Sequence, residues 1–169
     1  MARLFVALSL PADVEGELAS LPRPNEKGVR WTRPDQWHVT LRFLGDCSLD
    51  DATIALGRLE ARAPIITLGP RVEPLGRNVI SVPVDGAAEL AASVVAVTGS
   101  IGQPPDSRPF RGHITIARLS GRGASGLTGA PISSSFVADH IELIESTLTP
   151  DGPIYETRLE VPLLSSSSA

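Results

Sequence analysis

Cysteine is almost missing from this chain. Cys47 is the sole one among 169 residues, so no intramolecular disulfide can form, and a reducing compartment, the cytoplasm, is the expected location. Lysine is equally scarce: Lys27 stands alone, leaving fourteen arginines among the fifteen basic residues (15 − 1). An arginine fork suits bidentate phosphate recognition better than an ammonium point charge does. The same arginine excess, with its alanine, glycine and proline, is also what a GC-rich genome produces, so composition alone decides little. A surplus of positive charge is lacking too. The net charge of −4 and pI near 5.3 exclude a non-specific duplex binder, whose affinity rests on neutralising many phosphates. Any nucleic-acid contact is expected to be local. No stretch approaches the ~20 apolar residues of a membrane span, so no membrane contact is expected. The apolar run 4–10 is short, ends at Pro11 and lacks a small-residue cleavage pattern, which marks a buried strand and not a signal sequence. Cysteine pairs and histidines at i+4 of one another are absent as well, so neither a metal site nor a cofactor is expected.

What is present is a hydrophobic content of 42%, spread in short runs along the chain. A chain of this length can bury roughly 70% of its unfolded surface in one compact unit. Residues 3–10 read as a strand, and Pro11 opens a helix reaching about residue 21. A proline-containing loop leads to a short strand at 29–32 and a clearer one at 37–44, which Gly45 ends. Ser48 caps a second helix running to about residue 63. Strands 65–72 and 79–84 are expected to form a hairpin around Gly76, Arg77 and Asn78. A third helix, rich in alanine and valine, follows Gly86 to about residue 101. Strand 112–119 leads into a glycine-rich segment, 121–129, expected to be mobile. Two further strands, 136–148 and 154–164, flank the turn Pro150-Asp151-Gly152. This order predicts an α+β fold: two related lobes of largely antiparallel sheet, helices on the outside, and a cleft between the lobes. Residues 1–164 form the expected domain, a monomer, with a disordered tail at 165–169.

The chemistry lies in an internal echo. Trp37-His38-Val39-Thr40-Leu41-Arg42 and Gly112-His113-Ile114-Thr115-Ile116-Ala117 share one His-apolar-Thr-apolar pattern, and they take two of only three histidines in the chain. Alternation in a strand sets His38 and Thr40 on one face, His113 and Thr115 likewise, with Val39, Leu41, Ile114 and Ile116 opposite. Imidazole titrates near ~6.5, so of two histidines at neutral pH one can accept a proton while the other donates. Displacement at phosphorus needs both events, on opposite sides of the phosphorus atom. Threonine hydroxyls beside them can bond the non-bridging oxygens, where charge grows in the transition state. By the same alternation Arg42 shares the His38 face and is a further phosphate candidate, with a solvated arginine at the rim as the alternative.

These residues resemble the two-histidine phosphoesterases, and among them the RNA 2′,3′-cyclic phosphodiesterases also called 2′-5′ RNA ligases. The resemblance extends to Arg3-Leu4-Phe5-Val6-Ala7-Leu8, Val29-Arg30-Trp31, Leu41-Arg42-Phe43-Leu44-Gly45, Pro109-Phe110-Arg111, Ala117-Arg118, and Glu145-Ser146 through Gly152 and Tyr155. It implies that His38 donates a proton to the departing ribose O3′ and that His113 is the base for the incoming water. It further implies a 2′-phosphate product and, in reverse with an RNA 5′-OH, 2′-5′ ligation. The implied partners are RNA ends or nucleotides bearing a 2′,3′-cyclic phosphate. Arg118 matches an arginine of the family expected to bind phosphate, yet simple alternation turns it away from His113, so it requires a bulge, a strand end or a long reach. Gly112 and Ile116 depart from the proline and leucine common in the family at these positions.

Trp37 and Phe110 are candidates for stacking a terminal base, as is Trp31, although large aromatics near a strand start are also ordinary core residues. His140 reads as structural or exposed, and nothing basic beside Cys47 argues for a reactive thiolate. Two alternatives remain open: a phosphoesterase acting on a small cyclic nucleotide such as an ADP-ribose cyclic phosphate, or an RNA-end binding module whose histidines only recognise phosphate.

Overall fold

The computed structural model describes residues 1–120 and 126–165. Of the glycine-rich segment expected to be mobile, 121–129, and the tail expected to be disordered, 165–169, residues 121–125 and 166–169 lie outside the described residues; within the first segment Leu127 is buried and the Gly129 N–H donates to the Val72 carbonyl at 2.8 Å.

In the first strand, β1 (Ala2–Leu8), Leu4, Val6 and Leu8 are fully buried on one face, while Phe5 and Ala7 turn to the other. Helix α1 (Ala12–Ala19) begins after Pro11 and buries Val14 and Leu18, one turn apart. A three-residue strand, β2 (Val29–Trp31), and a 3₁₀ turn (Pro34–Gln36) precede β3 (Val39–Cys47). Helix α2 (Leu49–Leu56) is capped by the Ser48 hydroxyl, which accepts from the Asp51 N–H at 3.2 Å. It stops at Gly57, well short of the expected end. Strands β4 (Ile65–Leu68), β5 (Glu73–Leu75) and β6 (Val79–Asp85) come next, followed by α3 (Ala88–Thr98), which buries Leu90, Ala91, Val94 and Thr98 at helical spacing. The chain closes with β7 (His113–Leu119), β8 (Ser134–Val137), β9 (His140–Thr149) and β10 (Gly152–Pro162).

Two sheets result, in the orders β10-β9-β1-β3 and β2-β7-β6-β4-β8, with β5 paired to β6. Every pairing between named strands is antiparallel, so the α+β class read from the sequence is the one observed. Two strand readings are corrected. The Gly76-Arg77-Asn78 turn joins β5 to β6, whereas β4 meets the far end of β6, Thr67 opposite Asp85. The run 136–148 is not one strand: β8 belongs to the second sheet and β9 to the first, and the chain crosses over at Ala138, whose N–H donates to the Pro64 carbonyl at 3.0 Å.

The main core joins both sheets and all three helices through Leu4, Val6, Leu8, Val39, Val82, Ile114, Leu18, Leu56 and Val94. α1 packs on β8 of the second sheet, and α3 packs on β3 of the first. Those helices cover one side. The opposite face of the first sheet carries a small cluster, Phe5, Ala7 and Ile144 with Tyr155 against it, and β3 approaches β7. None of the described helices is long and apolar enough to cross a membrane.

Candidate active site

His38 sits at the threshold of β3, just after the 3₁₀ turn. Its Nδ1 lies 2.8 Å from the Gln36 carbonyl oxygen, which can only accept, so Nδ1 carries a proton and donates it there. Nε2 is thereby left for the cleft, where it meets the Thr40 hydroxyl at 2.9 Å. His113, the first residue of β7, repeats the device: its Nδ1–H donates to the carbonyl of Arg111 at 2.9 Å. Each histidine is thus oriented by the carbonyl two residues before it, and each presents Nε2.

Both histidines line one cleft of about 550 Å³, together with Thr40, Thr115, Arg118 and Tyr155. Two bulges decide which other side chains reach it. In β3, Val6 pairs with Arg42 but Ala7 pairs with Thr40, so Leu41 is an extra residue and alternation breaks there. Leu41 and Arg42 are both buried away from the cleft, and Phe43 returns to it. The expectation that Arg42 shares the His38 face is therefore corrected. Its guanidinium donates instead to Thr98 Oγ1 at 3.0 Å and to the carbonyls of Ile101 and Gln103 at 3.0 and 2.7 Å, bracing the end of α3 against β3. Gly102 completes that junction. It has a φ of +64°, and a Cβ there would come within 2.1 Å of the Leu44 oxygen.

In β7 the same irregularity works the other way. Ile80 pairs with Ala117 and Ser81 with Thr115, so Ile116 is the extra residue. Ile116 and Ala117 are both buried, and Arg118 swings onto the face of His113 and Thr115. The bulge that the alternation argument required is present. Five residues after the histidine, one lobe offers Arg118 and the other Phe43. Across the ring of Phe43, however, lies the guanidinium of Arg3, 4.7 Å from the centroid, so that lobe too brings an arginine to the cleft.

The aromatic residues are placed differently from the sequence expectation. Trp37 is only 6% exposed and belongs to the core, not to the cleft, so its reading as a stacking platform is corrected. Its indole N–H donates to Thr32 Oγ1 at 3.0 Å, and that hydroxyl donates to the Thr115 carbonyl at 3.0 Å, linking the first motif to the second. Phe110 lies outside the cleft, in an adjoining hollow that it shares with His113. Trp31 does line the cleft. The resemblance included Phe5 and Tyr155 but gave them no role; their rings hold the His38 imidazole at centroid distances of 4.8 and 5.3 Å. The available signal was alternation in β1, which sends Phe5 away from Leu4 and Val6.

Burial is the main influence on His38, and it lowers the imidazole from 6.5 to about 4; the Gln36 carbonyl works against this, while His113 and Arg118 add to it. An unfolded chain therefore takes up a proton between about pH 6.5 and pH 4 that the folded chain refuses. The stability due to a neutral His38 is complete above that window and is lost as pH falls through it, up to about 3 kcal/mol in all. Denaturant titrations from pH 7.5 to 4 are expected to show the native protein losing stability relative to His38→Gln; parallel curves would contradict this account.

Among the described residues, His140, Glu142 and Glu160 are the only grouping whose potential metal-binding atoms lie within 4.8 Å of one another. None lines the cleft, and two of the three are engaged: His140 with Asp139 at 2.6 Å and Ser9 at 3.3 Å, Glu142 with the Thr157 hydroxyl at 2.8 Å. Sequence spacing could not reveal this group, because β9 and β10 bring it together across strands.

Residues 8–68 match the model of the LigT-like phosphoesterases. The RNA 2′,3′-cyclic phosphodiesterase of Aeropyrum pernix is 32% identical over 155 residues, covering 82% of this chain and 88% of that protein. The chain belongs to this family. Its fold is shared by solved LigT-like structures: the TT0787 protein of Thermus thermophilus superposes with a TM-score of 0.82 at 24% identity, over 98% of this chain and all of that one. E. coli LigT, crystallised with 3′-AMP, superposes with a TM-score of 0.78 at 24% identity, over 96% and 98% of the two chains. In this LigT-like phosphoesterase, both His-x-Thr-x strands open onto one cleft, and the interrupted alternation after each histidine decides which following side chain joins it.

Proposed function

We propose that this protein hydrolyses 2′,3′-cyclic phosphates at RNA ends to 2′-phosphates without a metal ion. The observation that carries the proposal is the paired orientation of His38 and His113: in each, Nδ1 is tied to a backbone carbonyl and Nε2 is left for the shared cleft. With the cyclic phosphate between them, neutral His113 takes a proton from water as its oxygen bonds to phosphorus. The P–O3′ bond breaks in line, and Nε2–H of protonated His38 supplies the proton to O3′. Thr40, Thr115 and Arg118 hold the non-bridging oxygens. Two imidazoles meet both proton demands, so no step calls for a Lewis acid.

His38 is held neutral by burial in the free protein, and the substrate anion beside it offsets that cost and allows protonation on binding. A protonated imidazole in so dry a place then gives its proton up readily. Run backwards, with an RNA 5′-OH replacing water, the same groups would join ends through a 2′-5′ linkage. The reading takes the enzyme to be a cytoplasmic monomer.

Incubation of the purified protein with a nucleoside 2′,3′-cyclic phosphate and excess chelator is expected to yield the nucleoside 2′-phosphate alone. Loss of turnover with EDTA, restored by a divalent ion, would refute the metal-free step. A 3′-phosphate product would mean that O2′ leaves instead.

A further inference from the structure

The floor of the cleft on the second sheet does not end at His113. Beyond it, over β6 and β5, lies a hollow of about 270 Å³ whose lining includes Glu73, Asp85, Phe110, Arg111 and His113 itself. His113 is the wall between the two spaces, since it lines both. Phe110 remains 37% exposed there, so part of its ring is open to the hollow. The loop that carries it is set firmly. Gly112 lies so close to β6 that a Cβ would come 2.6 Å from the Val84 oxygen, and its carbonyl accepts from the Val84 N–H at 3.0 Å. Among the described residues the Arg111 side chain has only a long ion pair, 3.7 Å to Glu73, and it is largely solvated.

We infer that this hollow receives a second nucleoside, the one preceding the cyclic-phosphate nucleotide in an RNA strand, so that the preferred substrate is an oligonucleotide end and not a mononucleotide. The inference rests on the proposed function. A 2′,3′-cyclic end has only one covalent neighbour, attached through the 5′ oxygen of the terminal ribose, and a space adjoining His113 is within its reach. The lining selects the occupant. Phe110 offers an apolar surface for a base, as aromatic side chains do for single-stranded nucleic acid. Glu73 and Asp85 repel a further anion but accept hydrogen bonds from base amino groups, which argues against the pyrophosphate tail of a small dinucleotide. Arg111, at the rim, can take the connecting phosphodiester in exchange for its weak pairing with Glu73.

The test compares a dinucleotide ending in a 2′,3′-cyclic phosphate with the corresponding mononucleotide, by kcat/KM, and the two 2′-phosphate products by equilibrium binding. The native protein is expected to favour the dinucleotide on the order of tenfold in both measurements, and Phe110→Ala to bring both ratios close to one. Equal values for the two lengths in the native protein, or a preference that survives Phe110→Ala, would overturn the inference. If neither cyclic phosphate is cleaved, the hydrolytic reading fails. The product affinities still decide the hollow, because they need no turnover.

Discussion

Replacing either His38 or His113 by Ala is expected to lower kcat by about 10²- to 10⁴-fold, the usual worth of a positioned acid or base. The two losses differ in what repairs them. If His38 protonates the leaving oxygen, an aryl phosphodiester whose phenolate needs no proton should recover much of the rate in His38→Ala. It should recover little in His113→Ala, where water still lacks its base. Recovery in His113→Ala alone would exchange the roles, and equal recovery would mean that neither imidazole has a dedicated proton-transfer task. The variants also differ structurally. His38 packs between Phe5 and Tyr155, so its removal leaves a gap, whereas His113 lines open space on two sides. Parallel unfolding curves therefore belong with the kinetics.

Arg42→Ala is expected to destabilise the protein by about 3–5 kcal/mol, an effect seen in the denaturation midpoint. Truncation removes three charge-assisted hydrogen bonds, leaves the Ile101 and Gln103 carbonyls without their donor, and opens a cavity under the end of α3. A guanidinium suits this place because it faces the carbonyl end of a helix, where positive charge is favoured. Arg42→Lys should rescue only part of the loss, since one ammonium cannot span Thr98, Ile101 and Gln103 as the fork does. Activity per folded molecule should remain close to native. A large fall in kcat/KM with unchanged stability would return Arg42 to the phosphate site.

Arg42 also shows where sequence reading stops. Patterning of period two placed Val39 and Ile114 in the core and each histidine on the face of its threonine, because those positions precede the irregularities. After Leu41 and after Ile116 the period slips by one residue, and nothing within either strand announces it. A bulge is a property of a pair of strands: Val6 and Ala7 decide it for Leu41, Ile80 and Ser81 for Ile116. The family resemblance assigned Arg118 to phosphate, so a bulge could be demanded of it. Arg42 was placed by alternation alone, which the bulge overturns. Trp37 misled for a related reason, since its environment is built by Thr32 and by Arg23, whose guanidinium lies 5.2 Å from its ring, and not by its strand neighbours. The division of 136–148 into β8 and β9 was likewise hidden, because both halves are apolar enough to continue a strand and the switch depends on Pro64. Legible from the start were the fold class, the helix starts at Pro11 and Ser48, and the paired motif, all of which rest on local chemistry.

His38 and His113, the proposed acid and base, stand just before β3 of the first sheet and at the start of β7 of the second, nearly half the chain apart, so covalent continuity does not fix the gap between them. What fixes it locally is the chain from the Trp37 indole through the Thr32 hydroxyl to the Thr115 carbonyl, a strut that starts beside His38 and ends within the second motif. Alignment of two catalysts about one phosphorus tolerates very little drift, since a misplacement of about 1 Å can cost 10²-fold in rate. On the proposed roles, catalysis depends partly on atoms that no substrate meets, the donors and acceptors of this strut.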